Sequence, residues 1–276
     1  MNRVSDETTE PHLGGMALAN GLLVHGPTHW AAAIRTSDGH ITVSSGEKPH
    51  LAGGPANRIP LVRGLLKMAE AVAVVPAARM RTPGARLAME NINVIGAMLG
   101  SAALTAVVRR TSRSVIAQEV VGAAAGLLPA LIAIRDGEAA TWHGVEHKSI
   151  AAYEHGGARE VVNAAMHPKE HMRCGSNLVA PLMISTVVIN SAVRKFIPHA
   201  STAVRAAGSA LAVGATVELF GFATRNPDHA VARMLHGVGH KIQATVATKE
   251  PGPDDMAVGR AAMDEILRLE GVTAAH

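Results

Sequence analysis

Four apolar stretches decide what this chain can fold into. Ile92 to Val108 carries no charge, Val115 to Ile134 is interrupted only by Gln118 and Glu119, Leu178 to Val193 contains Asn190, and Ala206 to Ala223 contains Glu218. Each runs about 16 to 20 residues, the short end of what a bilayer requires. A soluble bundle of buried helices is the competing reading, and a mean hydropathy of only +0.18 keeps it open. Composition tips the balance. Aromatic residues are 2% of the chain while hydrophobic residues reach 48%, so Ala, Val, Leu, Ile and Gly carry the apolar mass. Small side chains suit helix packing in lipid, and Gly96, Gly100, Gly122 and Gly126 form two pairs four apart of the kind that allow close approach. The expected fold is mainly α and embedded in a membrane, with about four transmembrane helices.

The rest of the chain is arranged around those spans. Residues 1–13 are polar and acidic and are expected to be a disordered tail; they lack the apolar core of a signal peptide, so insertion would depend on internal segments. Asp38-Gly39 between two short apolar segments is a hairpin signal, which predicts a small β unit at about residues 16 to 45 within the region 14–60. The Gly and Pro cluster from Gly46 to Pro60 reads as a loop. From Pro60 to Ala78 the period changes. Leu61, Leu65, Leu66, Ala69, Val72 and Ala73 share one helical face, which predicts an amphipathic helix ending near Pro76 and Pro83, lying on the membrane or against the soluble part. After the linker to residue 91 come spans at 92–134, a polar segment at 135–177, spans at 178–223 and C-terminal helices at 224–276. In the last of these, Asp254 to Leu269 is amphipathic through Met256, Ala257, Ile266 and Leu267.

Charge excludes one class of partner. The net charge is +4, but the basic residues are scattered without interleaved aromatics, so nucleic acid is not expected. Such an excess is common in the cytoplasmic loops of membrane proteins. Arg109, Arg110 and Arg113 crowd the first short loop, while Arg79, Arg81, Arg86 and Arg135 stand at the other ends of the same spans. Orientation therefore rests on the long polar regions sharing one side, read here as the cytoplasmic face of a multi-pass cell-membrane protein. The single cysteine, Cys174, rules out an intrachain disulfide.

Chemistry concentrates between the second and third spans. His143-Gly144-Val145-Glu146-His147-Lys148 runs on to Tyr153-Glu154, with Asp136 or Thr141 as a helix cap and Gly156-Gly157 as the stop. At 100° per residue, His143, His147 and Glu154 fall within roughly 40° of one another and Glu146 about 60° to the side. Two imidazoles and a carboxylate are ligands for a divalent metal, zinc first and iron or another transition metal next, with Glu146 as the base. The string H-x-x-E-H is also that of inverted zincins. The third ligand stays open among Glu154, His167, His171 and Cys174. The alternative is an exposed, capped helix whose His and Glu are merely solvated. Cys174, beside Arg173, is a ligand, a reactive thiol or a small buried residue at a helix start. Glu119 and Glu218 are costly inside spans unless paired, so Arg113 and Arg205 are candidate partners, or the two acids orient the histidines. A second string, His236-Gly237-Val238-Gly239-His240-Lys241, has Gly239 in place of the carboxylate; it reads as coincidence, with His236 and His240 a second histidine pair.

Taken together, these pieces resemble the YqhQ-like family of bacterial membrane proteins over roughly residues 14 to 267. The opening Gly14-Gly15-x-Ala17 to Gly39, the helix from Leu61 to Glu70 and the stretch from His143 to Ile150 with Tyr153-Glu154 look like family elements. So do His171-x-Arg173-Cys174-Gly175, Thr248-Lys249-Glu250-Pro251, and the glutamates Glu119 and Glu218. The resemblance implies an integral membrane protein with a metal site and no defined reaction. Met16, Asn20 and His25 stand where the family usually has Gln, Glu and Arg, and Met172 stands where it has proline. If those N-terminal polar groups serve the family's site, this chain has a changed substrate or has lost the chemistry.

The expectation is a membrane-embedded, metal-dependent enzyme acting on a small molecule or peptide, with hydrolysis the simplest reaction. His143, His147 and Glu154 would be ligands, His171 or Cys174 alternatives, Glu146 the base, and Lys148 or Arg173 a stabiliser of negative charge. Membrane lipid is the surrounding partner and a homo-oligomer is compatible with it. The other two classes are a transporter or assembly factor using Glu119 and Glu218, and a helical scaffold whose β unit binds partners.

Overall fold

The computed structural model describes residues 11–50, 59–135 and 138–272. The chain opens with a four-stranded antiparallel meander, β1 (Gly14–Ala17), β2 (Gly21–His25), β3 (His29–Arg35) and β4 (Ile41–Glu47), in spatial order β1-β2-β3-β4. The Asp38-Gly39 hairpin joins β3 to β4: Thr36 N–H donates to His40 O at 2.9 Å, and Gly39 takes φ 86°, a left-handed conformation that glycine adopts without strain. Gly46 belongs to β4 rather than to a loop, paired with Trp30. Of the predicted disordered tail over residues 1–13, residues 1–10 lie outside the described residues, as do most of the predicted loop and a cap at Asp136, whereas Leu13 is buried in the core beneath the sheet.

β2 and β3 are buried along nearly their whole length, and helices cover both faces of the sheet. That is why they read as continuous apolar runs instead of an in–out alternation. Leu22, Val24, Ala31 and Ala33 face one side, where they pack on Val258, Ala262, Met263 and Ile266 of the C-terminal helix, α8 (Pro253–Leu269), and on Trp142 and Val145 of α4 (Ala139–Gly156). Leu23, Trp30 and Ala32 face the other side, against Val74 and Ala78 of α1 (Val62–Arg81). The alanines of β3 keep the helices close. Ser45 Oγ donates to Glu265 at 2.6 Å, and Glu270 accepts from the Thr28 and His29 N–H groups at 2.9 and 2.8 Å, which fixes α8 across the sheet. The C-terminal helix is thus part of the β domain's core.

Helix α1 differs from its predicted face. It runs through Pro76 to Arg81 and buries Gly64, Val74 and Ala78, while Val72 is exposed. The apolar period was real, but two neighbours compete for this helix. Its second half seats on the sheet, and its start packs on a membrane span, with Gly64 against Val217.

Four helices are long and apolar enough to cross a membrane: α2 (Ile92–Thr111), α3 (Val115–Arg135), α5 (Val179–Phe196, entered through a 3-10 turn at Gly175–Leu178) and α6 (Thr202–Arg225). Between 11% and 28% of each segment is buried inside the protein. A soluble bundle would bury those faces, so lipid must cover them, and the chain is a multi-pass membrane protein. The glycine pairs do not mediate the closest helix approach. A Cβ on Gly96, Gly100 or Gly126 would meet nothing within 4 Å, and Ser101 Oγ instead ties α2 to the Ala125 carbonyl at 2.6 Å.

The two intramembrane glutamates pair with arginines other than the expected ones. Glu119 accepts from Arg194 at 3.0 Å and Asn190 at 3.2 Å, and Glu218 accepts from Arg63 at 2.7 and 2.6 Å and from Leu61 N–H at 3.2 Å. Sequence proximity suggested Arg113 and Arg205, but the partners come from helices that only the tertiary fold sets side by side. Glu119 sits one turn into α3 and Glu218 two turns before the end of α6. Since the spans alternate in direction, the two acids lie toward opposite membrane surfaces.

Candidate metal centre

Helix α4 is the element that carries the polar side chains. Twelve of its 18 residues are buried, so it is not the exposed capped helix of the alternative reading. Glu138 takes the N-cap position, Thr141 lies within the first turn, and Gly157 ends the helix at φ 68°. Trp142, Val145 and Tyr153 bind α4 to the core under the sheet, which leaves His143, Glu146, His147 and Ile150 lining a cavity of about 860 Å³. Gly144 is required by a close approach: a Cβ there would strike the carbonyl of Lys249, whose N–H donates to Ala140 O at 2.9 Å.

His143, His147 and Cys174 form a cluster whose ligand atoms all lie within 4.8 Å of one another. The imidazoles lie with centroids 4.2 Å apart and ring planes tilted by 58°, and Cys174 Sγ is 3.3 Å from His143 Nε2. Both histidines are oriented through their far nitrogens. His143 Nδ1 is 2.9 Å from Ala247 O, and His147 Nδ1 is 2.5 Å from Lys169 O. A carbonyl only accepts, so each Nδ1 carries the proton and each Nε2 keeps its lone pair, the backing that metal-bound histidines receive. The first carbonyl comes from a π-helical turn, Gln243–Ala247, and such turns recur at functional sites. Burial lowers the pKa of His147 to about 3, which leaves it neutral, and burial raises that of the Cys174 thiol. A thiol held neutral in this way is deprotonated when a metal binds.

Glu146 is buried beside the cluster, with Gly15 of β1 directly against its side chain. Burial raises its pKa to about 7; the neighbouring His143 opposes the shift and Cys174 adds to it. A carboxyl poised there can take or give a proton near neutral pH.

The remaining candidates lie elsewhere. Glu154 pairs with Arg173 and accepts from His171 Nε2 at 2.9 Å. It shares the helical face of the two histidines, but 11 residues of rise put it roughly 16 Å along the axis from His143, beyond any common ion. His171 lines the cavity with both nitrogens engaged, Nε2 by Glu154 and Nδ1 by Arg173 N–H at 3.3 Å. His167 is turned to Glu160 at 3.1 Å. Lys148 points away from the cavity: its ammonium donates to Ala165 O and His167 O at 3.1 and 2.7 Å and meets Glu250 at 2.7 Å. His236 and His240 sit on α7 (Ala230–Ile242), outside the cluster. Gly239 holds the carboxylate's place in that second string because α7 crosses Asn177 there, where a Cβ would collide.

Two groups had no sequence signal as ligand supports, the carbonyls of Lys169 and Ala247. The departures in the opening motif did carry one. Met16 and His25 line the cavity, and burial lowers His25 to about 4, whereas Asn20 bonds to the backbone of Arg35, Gly84 and Arg86.

Fold and site together define a multi-pass membrane protein whose β domain and membrane helices enclose a His–His–Cys cluster. Residues 138–269, just under half of the chain and all of the region from α4 through α8, match the model of a family described as a protein of unknown function (DUF1385). No curated protein and no solved structure matches the chain.

Proposed function

We propose that the chain is a metal-dependent membrane enzyme whose centre is held by His143 Nε2, His147 Nε2 and the Cys174 thiolate. The observation that carries this reading is the convergence of three donors with both imidazoles backed by backbone carbonyls. Zinc is the first candidate, since two imidazoles and a thiolate suit it, and iron or another transition metal follows. Three protein ligands, rather than four, mark catalytic sites of this kind, which keep a position open for water or substrate. When bound, the metal supplies Lewis acidity to an oxygen in the cavity.

The chain supplies the rest. Glu146 holds or accepts the proton at its carboxylate, with a pKa of about 7. Arg173, fixed by Glu154, lines the same cavity and offsets negative charge that develops on the substrate. Hydrolysis is the simplest reaction for this set. The site face is cytoplasmic in this reading, where a thiol ligand stays reduced. Pairing of Glu119 and Glu218 with arginines weighs against a transport role for the two acids. Cobalt loading tests the ligand set. A thiolate-to-cobalt charge-transfer band that persists in Glu146→Gln and vanishes in Cys174→Ser is expected, and a band that survives Cys174→Ser refutes the assignment.

A further inference from the structure

The cavity in front of the His–His–Cys cluster has two unlike ends. The inner end is polar. The outer end is lined by Leu127, Leu131 and Ile134 from the last turns of span α3 on one side, and by Val238, Ile242 and Val246 from α7 and its π-helical extension on the other. At about 860 Å³ it stands near the top of the range of roughly 300–1,000 Å³ usual for small-molecule sites.

Two further observations say where the outer end leads. Helix α7 begins four residues after α6 leaves the membrane region, on the surface where α3 also ends. It carries an apolar stripe of Val231, Met234 and Val238 that remains exposed, at 39%, 56% and 40%, with Arg233 and His240 on the opposite face. A helix of that pattern lies in the plane of the membrane interface. Val238 belongs both to the stripe and to the cavity wall, so the lipid-facing surface and the cavity are continuous. Of the charged groups in the lining, Glu146 is the one acid, Arg173 is paired with Glu154, and Lys241 has no ion-pair partner among the described residues.

We infer that the cavity admits a lipid-like amphiphile sideways from the bilayer between α3 and α7, its apolar chain along Leu127, Leu131 and Val238 and its anionic head at the His143–His147–Cys174 end. The substrate class of the proposed enzyme is then a membrane amphiphile with a carboxylate or phosphate head. This rests on the metal reading for the chemistry but not for the binding. Lys241 at the lip attracts the head, and the apolar wall excludes water from the inner end.

The test uses full-length protein in phosphatidylcholine nanodiscs, with dodecanoate carrying a terminal diazirine as the probe, the corresponding alcohol as the neutral probe and butyrate as a water-soluble competitor. Photolabelling is expected to map to α3 and α7. Leu131→Trp, which fills the channel, should cut it by about tenfold, as loss of roughly two buried methylenes implies. Leu104→Trp, on the exposed face of α2 away from the cavity, controls for the added ring and should retain it. Lys241→Gln should weaken dodecanoate labelling by about fivefold and leave the alcohol unchanged, the upper end for one exposed ion pair. Labelling spread evenly over α2, α5 and α6, labelling unaffected by Leu131→Trp in a folded sample, or displacement by butyrate would overturn lateral entry. Metal content measured on the same samples separates the two readings. Metal without cavity labelling defeats this inference alone, and cavity labelling without metal defeats the enzyme reading alone.

Discussion

Cys174 Sγ lies 3.3 Å from His143 Nε2 across 31 residues of chain. The contact exists because the segment after α4 folds back beneath it, and Lys148 helps hold it there. The buried Lys148 ammonium is spent on the carbonyls of Ala165 and His167, close to the Lys169 carbonyl that orients His147. Lys148→Met should therefore destabilise the protein by about 1–3 kcal/mol and loosen metal retention, because it removes the charge-assisted hydrogen bonds of a buried ammonium to both carbonyls. Glu250→Gln should change stability by less than about 1 kcal/mol, because Glu250 is exposed. Thermal melts of the two variants in detergent check the contrast.

Two look-alike strings should respond differently to the same change. Gly144→Ala drives a methyl into the Lys249 carbonyl and should cost about 1–3 kcal/mol with a lower melting temperature. Gly237→Ala, where a Cβ meets nothing within 4 Å, should be neutral or stabilising by up to about 1 kcal/mol. Equal losses in both would show that α4 does not pass so close to residue 249.

The metal-free protein should carry a pH signature of Glu146 and His147. Between pH 4.5 and about 7 the folded state keeps the Glu146 proton that the unfolded chain releases, so raising the pH through that window costs stability. His147 acts in the opposite sense: between about 3 and 6.5 the unfolded chain takes up a proton the folded state refuses, so stability falls as pH falls. Glu146→Gln should remove the first effect. Its melting temperature should gain on that of wild type as the pH rises from about 5 to about 8 in the presence of chelator. A constant difference across that range would contradict the burial of a titrating carboxyl.

Glu119→Ala should destabilise by about 1–3 kcal/mol, since it removes the buried carboxylate that Arg194 and Asn190 bond to, while metal content stays unchanged. Ion or proton flux in liposomes that depends on Glu119 but tolerates loss of both histidines would favour the transport class instead.

The parts of this fold that were legible in the sequence are those set by local pattern. Span positions follow from apolar length, the β3–β4 hairpin from Asp38-Gly39, and the end of α4 from Gly156-Gly157. What was not legible depends on tertiary meetings. The angular argument grouped Glu154 with the histidines but left out helical rise, which takes it out of reach. Cys174 entered as one of several candidates, and no side-chain pattern could report that the carbonyls of Lys169 and Ala247 would orient the imidazoles. The arginines that satisfy Glu119 and Glu218, and the choice of α1's buried face, likewise depend on which helices become neighbours.

The most direct test of the central claim is the metal content of full-length protein purified in detergent without added chelator. About one divalent metal per chain is expected for wild type and for Glu154→Gln, and a small fraction of that for the His143→Ala, His147→Ala double variant and for Cys174→Ser. If wild type and the double variant carry the same trace of metal, His143, His147 and Cys174 do not form a metal centre.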